Sequence, residues 1–532
     1  LMKYLGNYLF LILSVLLLDS CAKKKQLFTE NDVFRYNESA NIQTLDPAFA
    51  RNMAIIWPCT QLFNGLVQLD DSLHVQPDIA KSWNISNDGL HYEFLLRDDV
   101  YFHKHKNFGK DSTRVVTAHD FEYSFNRVLS EDLASPGTWV FQHVNSYKAV
   151  NDSVFTIDLK NPFPAFLSLL SMKYASVVPK EITEDQSIDF RSNPIGTGPF
   201  QFKIWEENVK LVLRKNPNYH EKDATGKRLP YLESIAISFL PDKQSGFMQF
   251  LQGKIDMISG LDPSYKDELL QPTGSLQEKY KGKIKMLTGP YLNTEYLGFN
   301  MNDPLMSDIR IRKALNHGFD RTKLVAYLRN GMGDGKVNGM IPNGLLGFQP
   351  AKDPLYNPTK AKQLIDQVKK DKKSTVEITL STNNTYLDIA EYLQREWEKL
   401  GIKVKIDVMP PSTLRQAIAT NKLAFFRGSW IADYPDAENY LSLFYSKNFT
   451  PNGPNYTHFK NTTFDNFYEQ ALNTVDDEKR TELYQKMNEM IANEVPVIVL
   501  FYDKVARFTQ KNVHNLQPNA MNGLNLKYVK KY

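Results

Sequence analysis

The sequence predicts an α/β protein built in at least two lobes, and three observations carry that reading. Residues 376–408 read as strand, helix and strand: VEITL, the amphipathic LDIAEYLQREWEKL, then IKVKIDV, with Gly401 stopping the helix. A unit of this length is what two parallel strands need for their crossover. Around 91–103, Tyr92, Phe94 and Leu96 alternate with Glu93, Leu95 and Arg97, and Ser153–Leu159 alternates again, as strands with one buried face do. Finally, 532 residues exceed what one hydrophobic core organises, so two or three domains are expected.

The remaining elements follow in order. Val33–Tyr36 begins a strand, and NIQTLDPAFA is a polar loop. Residues 62–67 read as a helix end turning into a strand. Thr117 is placed to cap a helix to Leu129, with Asp120 in its first turn and Phe121, Phe125 and Val128 on one face. The breakers in NPFP end the strand before them. NPIGTGPF (193–200) is a turn-rich boundary, followed by strands at 201–214 and 234–240. RIRKALNHGFDRTKLVAYL is helical, with Ile311, Leu315, Leu324 and Leu328 as core positions. A helix at 476–493 precedes the apolar strand VPVIVLF.

The N-terminal residues carry an address rather than a fold. Lys3 precedes an apolar run, Leu9–Leu18, broken only by Ser14. As a helix the run would span about 15 Å, half a bilayer core, so residues 1–20 are expected to be a signal peptide. Leu18-Asp19-Ser20-Cys21 resembles the lipobox of bacterial lipoproteins, with lipid expected on Cys21 and residues 21–30 as a tether. Lys23–Lys25 would then lie beside lipid head groups. The only other cysteine, Cys59, has no metal-like neighbours in sequence and is expected to be a buried small side chain.

Composition narrows the function classes. The formal charge is +4 with no long basic block, so nucleic acid has no electrostatic footprint. No GxSxG, HExxH, phosphate loop or CxxC is present, which favours binding over catalysis; no cofactor and no metal are expected. His103 and His105, with His91 and His119 nearby, are the one metal-like feature, and solvated histidines are the expected outcome.

Four segments together resemble the family 5 extracellular solute-binding proteins, the peptide- and nickel-binding components of ABC transporters. They are AKSWNISNDGLHYEFLLRDDVYFH (80–103) with VVTAHDFEYSF (115–125), then NPIGTGPF (193–200), RIRKALNHGFDRTKLV (310–325) and WIADYPDAENY (430–440). In the third, Arg312, Ala314, Asp320 and Arg321 match. The resemblance implies a periplasmic binding protein-like two-lobe (type II) fold. Lobe I would be discontinuous, at 31–62, 194–289 and 488–532, with an extra smaller domain at 63–193 packed on it. Lobe II would span 290–487, and the chain would cross between lobes near 290 and near 487.

The same resemblance implies a monomeric, non-enzymatic protein of the periplasm or cell envelope. It would capture short peptides for a permease with cytoplasmic ATPases; a nickel chelate, an opine or an oligosaccharide is the alternative within the family. A peptide-sensing receptor or a lipoprotein hydrolase stands further off. Asp433 matches the aspartate that pairs with a peptide α-amino group. Arg427 matches an arginine that reaches the peptide carboxyl in members accepting longer peptides; a structural salt bridge is the competing reading. A second arginine used by some members would fall near Ile418. Gly428, Ser429 and Trp430 would pair with the ligand backbone, and Trp430 and Tyr434 would wall the cleft. The loop Ala50–Met53, with Arg51, Asn52 and Met53, would face the peptide N-terminus; an inward Arg51 would favour an acidic first residue.

Overall fold

Two long strands, Ile284–Phe299 and Val497–Gln510, run antiparallel through the middle of a ten-stranded sheet. The structure is a computed structural model that describes residues 32–351 and 355–532. The signal peptide at 1–20, the tether at 21–30 and Cys21 lie outside the described residues.

On one side of the long pair lie Phe425–Ile431, Glu377–Thr382 and Lys403–Val408; on the other lie Met257–Ser259, Val33–Asn37, Ser234–Ser238, Lys210–Lys215 and Phe200–Glu206. The first group packs around Phe299, Ile311, Leu315, Ile378, Leu393 and Trp397, and the second around Phe34, Cys59, Leu211 and Ile235. Separate cores on either side of shared strands make two lobes.

The long pair is irregular where it passes between them. Pro290 opposes Lys504 and Thr294 opposes Tyr502, so four steps on one strand meet two on the other. Proline offers no N–H to the ladder, and the extra residues bend the strand there. Residue 290 lies at this irregularity. Residue 487 instead lies inside the helix Asp477–Glu494, and the chain passes between the sheet halves on the strand Val497–Gln510. That strand runs nine residues beyond the apolar VPVIVLF, because its polar continuation is paired to neighbours on both edges.

A separate four-stranded antiparallel sheet, in the order Ala80–Ile85, His91–Leu96, Val154–Leu159, Val144–Asn151, lies within 63–193. Tyr92, Phe94 and Leu96 point into its core, as their alternation predicts. The helix Ala118–Leu129 covers it, with a capping box between Thr117 and Asp120 and with Phe121, Phe125 and Val128 buried. In lobe II, Glu377–Thr382 and Lys403–Val408 pair in parallel around the helix Leu387–Glu398, and Gly401 takes φ +81°. Ile311, Leu315 and Leu324 are buried, while Leu328 is half-buried.

The segments that carry the family resemblance prove structural in large part. Arg312 donates to the carbonyls of Met306, Ser307, Glu494 and Val495, and Arg321 to those of Asn316 and Val499. Arg312 thereby satisfies the last carbonyls of the helix Asp477–Glu494, and Arg321 ties the last turn of the helix Ile309–His317 to the strand Val497–Gln510. In NPIGTGPF, a Cβ on Gly196 would fall 2.1 Å from the Leu62 carbonyl oxygen, and one on Gly198 2.4 Å from that of Gln61. Glycine is required there by close backbone approach.

Candidate functional site

A cavity of about 680 Å³ lies between the lobes and the extra domain. Lobe I contributes Ala50–Met53 and a C-terminal stretch that includes Met521 and Lys527; the extra domain contributes Asn64, Trp139 and Ser171–Tyr174; lobe II contributes Tyr291 and Ile431–Pro435. The volume suits an enclosed small molecule.

Asp433 stands two residues past the C-terminal end of Phe425–Ile431, a strand parallel to Glu377–Thr382. Loops beyond the carboxyl ends of parallel strands are where open α/β sheets place ligands. The side chain reaches solvent through the cavity, yet protein crowds it on most sides. That crowding raises its pKa above the ordinary carboxylate range, and Asn439 pulls it partly back. Tyr174, Tyr440 and Tyr456 lie close enough to feel its charge. Among the described residues no cation pairs with it.

Asn439 fixes this corner. Its Oδ1 accepts from Trp430 Nε1 at 2.8 Å and from the Asp433 backbone N–H at 3.3 Å. Trp430 is half-buried behind the wall rather than in it, so its part is to hold the loop. Tyr434 does line the cavity; its hydroxyl donates to Glu438, and its ring packs on Trp139 and Phe163 of the extra domain. Lobe II is thereby already in contact with the extra domain.

The other predicted residues divide. Arg51, Asn52 and Met53 line the cavity, with Arg51 exposed and Asn52 also capping the helix Met53–Leu62 through Ile55 N–H at 3.2 Å. Gly428 and Ser429 do not reach it: they pair with Tyr296 and Glu295 of the neighbouring strand, and the cavity meets this strand only at Ile431. A Cβ on Gly428 would lie 2.7 Å from the Tyr296 ring, so this glycine makes room for packing. Arg427 also lies outside the cavity; it is buried, ion-paired with Glu295, and stacked 3.2 Å from the centre of the Tyr386 ring. Burial works against its charge, but Glu295 and Tyr386 overrule it and raise its pKa. In this structure Arg427 is engaged in a salt bridge with Glu295.

The histidines expected to be solvated are not all so. His103 is buried; its Nε2 meets the Gly198 carbonyl at 3.0 Å and its Nδ1 accepts from Gly196 N–H, while burial lowers its pKa to about 4. It breaks the alternation, being buried next to the buried Phe102, and through these bonds it pins the NPIGTGPF turn. His105 accepts from Asn107 N–H as a cap, and His91 and His119 are exposed beside Asp158 and Asp152. Cys59 is a buried free thiol, as expected, and burial raises its pKa.

Sequence reasoning missed Asp78, Lys173, Tyr291 and Lys527, which line the cavity from distant parts of the chain. Asp78 accepts from Asn64 Nδ2 at 2.9 Å, and burial, then Glu221, pushes it up to about 6. Asp78, His220 and Glu221 bring ligand atoms within 4.8 Å of one another, the one such group among the described residues. Lys527 lies 2.7 Å from Glu221, and against the pull of burial it holds that carboxylate at about 2. An ammonium of the chain already supplies the cation there.

Residues 74–452 match the family model "Bacterial extracellular solute-binding proteins, family 5 Middle". The chain belongs to that family. It is 28% identical over 509 residues, 90% of each chain, to the "Probable deoxycholate-binding periplasmic protein YgiS" of Escherichia coli (strain K12). It is 24% identical over 477 residues, 85% of each chain, to the "Dipeptide-binding protein" of the same organism. Among solved structures, the ABC transporter-associated periplasmic binding protein DppA from Helicobacter pylori, in complex with the peptide STSA, superposes with a TM-score of 0.75 at 23% identity. That alignment covers 94% of this chain and 98% of that one. The fold is the two-lobe periplasmic binding protein fold. No helix among the described residues is long and apolar enough to cross a membrane.

Proposed function

We propose that this chain captures short peptides between its lobes, outside the cytoplasmic membrane, and delivers them as a monomer to the permease of an ABC importer. The observation that carries this reading is Asp433, a carboxylate on the cavity wall with no cation of its own among the described residues. A peptide ammonium supplies the missing charge, and a charge-assisted hydrogen bond in so crowded a place is strong. Arg51, Asn52 and Met53 line the facing lobe, so one ligand can touch both lobes. Differential affinity then favours the closed arrangement over the open one, which is all that docking on a permease requires.

The reading takes 31–62, 194–289 and 488–532 as lobe I and 290–487 as lobe II, with the mechanical crossings at Pro290–Thr294 and Tyr502–Lys504. It also takes Cys21 as lipid-bearing, on the strength of Leu18-Asp19-Ser20-Cys21 after an apolar run. Labelling with a clickable fatty acid, lost in Cys21→Ala, tests the anchor. Native mass spectrometry of the protein purified from the envelope, followed by release of its cargo, tests the ligand. Peptides are the expected release. A nickel chelate, an opine or an oligosaccharide would replace the peptide reading and leave the family in place, and cleaved products after incubation with intact peptides would point to a hydrolase.

A further inference from the structure

The cavity carries charge of both signs, and part of it is left unneutralised by the chain. Asp433 comes from lobe II; Arg51 and Lys527 come from lobe I and Lys173 from the extra domain. Lys527 is committed, 2.7 Å from Glu221 and 2.8 Å from Gln68 Oε1. Arg51 is exposed to solvent. Lys173 differs from both.

Lys173 opens the single helical turn Lys173–Ala175, whose Tyr174 is buried and feels both Asp433 and Arg51. The Lys173 side chain is half-buried on the cavity wall, and its ammonium makes no ion pair or hydrogen bond among the described residues. Burial lowers its pKa, and Asp78 and Cys59 offset this only in part. The Asp78 carboxylate acts on it, but Asp78 is engaged by Asn64 Nδ2 and by Gly65 N–H. An ammonium taken out of water without a partner is costly, and an arriving anion would relieve that cost. Arg427, the residue that the family resemblance assigns to a ligand carboxylate, lies outside the cavity and is bound to Glu295.

We propose that Lys173 is the anion-binding residue of this cavity, holding a carboxylate of the same ligand whose amine meets Asp433. The proposal rests on the peptide reading and deepens it: the cargo is a short peptide with an acid group placed to reach the extra domain. That carboxylate has two sources, the C-terminus of a short peptide or an acidic side chain near its N-terminus.

The test is titration calorimetry of the full chain, Lys173→Met and Lys173→Arg with Ala-Ala, its C-terminal amide, Glu-Ala and Gln-Ala, with melting curves checking the fold. Lys173→Met should weaken the carboxylate-dependent ligand about tenfold to a hundredfold, and Lys173→Arg should restore most of it. Loss for Ala-Ala, with the amide already weak in the wild type, assigns the C-terminus; loss for Glu-Ala but not Gln-Ala assigns the side chain. Unchanged affinities throughout in a folded Lys173→Met protein overturn the proposal and leave the peptide reading intact. If no peptide binds the wild type, deoxycholate, an anion without an amine, separates the two claims. Binding that Lys173→Met weakens keeps Lys173 and rejects peptides, whereas binding it leaves unchanged, or no binding, rejects both.

Discussion

Arg427 and Glu295 meet diagonally across neighbouring antiparallel strands, Arg427 opposite Leu297 and Glu295 opposite Ser429, with the ring of Tyr386 stacked on the guanidinium. Both side chains are nearly buried, 10% and 4% exposed. Such a pair is dangerous to break, because the survivor is left charged and dry. Arg427→Met should therefore lower the unfolding free energy by about 3–5 kcal/mol in urea titration. Glu295→Gln together with Arg427→Met should recover part of it. A stable Arg427→Met protein that has lost its ligand would make Arg427 a ligand group after all.

The strand Val497–Gln510, paired to the other edge of the Glu295 strand, holds a second carboxylate. The Asn293 amide donates to Glu295 Oε1 at 3.2 Å and to Asp503 Oδ2 at 3.1 Å, and burial, then Glu295, pushes Asp503 up to about 7. A carboxyl whose folded pKa lies above its unfolded value of about 3.9 binds protons more readily when folded. Its stabilising contribution is present below pH 4 and is lost as pH rises from about 4 to about 7. The wild type should accordingly lose stability, relative to Asp503→Asn, across that window, by at most about 1.4 kcal/mol per pH unit. Denaturation midpoints of both proteins from pH 4 to pH 8 measure it; parallel profiles would show that Asp503 titrates normally.

Gly196 and Gly198 tie the boundary of the extra domain to the helix Met53–Leu62. Gly196→Ala would force its Cβ onto the Leu62 carbonyl, and the chain must shift to relieve it. Overpacking of this kind costs about 1–3 kcal/mol. Thermal melting should show the loss, and a midpoint unchanged from the wild type would mean that the turn has slack.

The sequence disclosed local structure well and the site poorly, for a physical reason. Caps, alternation and helical faces act within a few residues, so Thr117 with Asp120, the inward Tyr92, Phe94 and Leu96, and Gly401 could be read directly. Lys173, Asp78 and Lys527 share no local pattern; the folding of the extra domain joins the first two, and the return of the C-terminal segment adds Lys527. The resemblance around 430–440 named Asp433, and it lines the cavity. Arg427 and Gly428 were named in the same way, but one serves an ion pair and the other makes room for Tyr296. His103 went unread for the opposite reason: nothing in its neighbours Phe102 and Lys104 reveals that its partner is the distant NPIGTGPF turn.

The most direct test is calorimetric titration of the wild type and Asp433→Asn with short peptides and their N-acetylated forms. Asp433 makes no ion pair among the described residues, so the asparagine variant should fold with wild-type stability. Its peptide affinity should fall by about 2–4 kcal/mol, about thirtyfold to a thousandfold. N-acetylation should cost the wild type as much and cost Asp433→Asn almost nothing further. Equal peptide affinity in the two proteins, or indifference of the wild type to the free amine, would contradict the peptide reading and leave this chain a family 5 binding protein for some other solute.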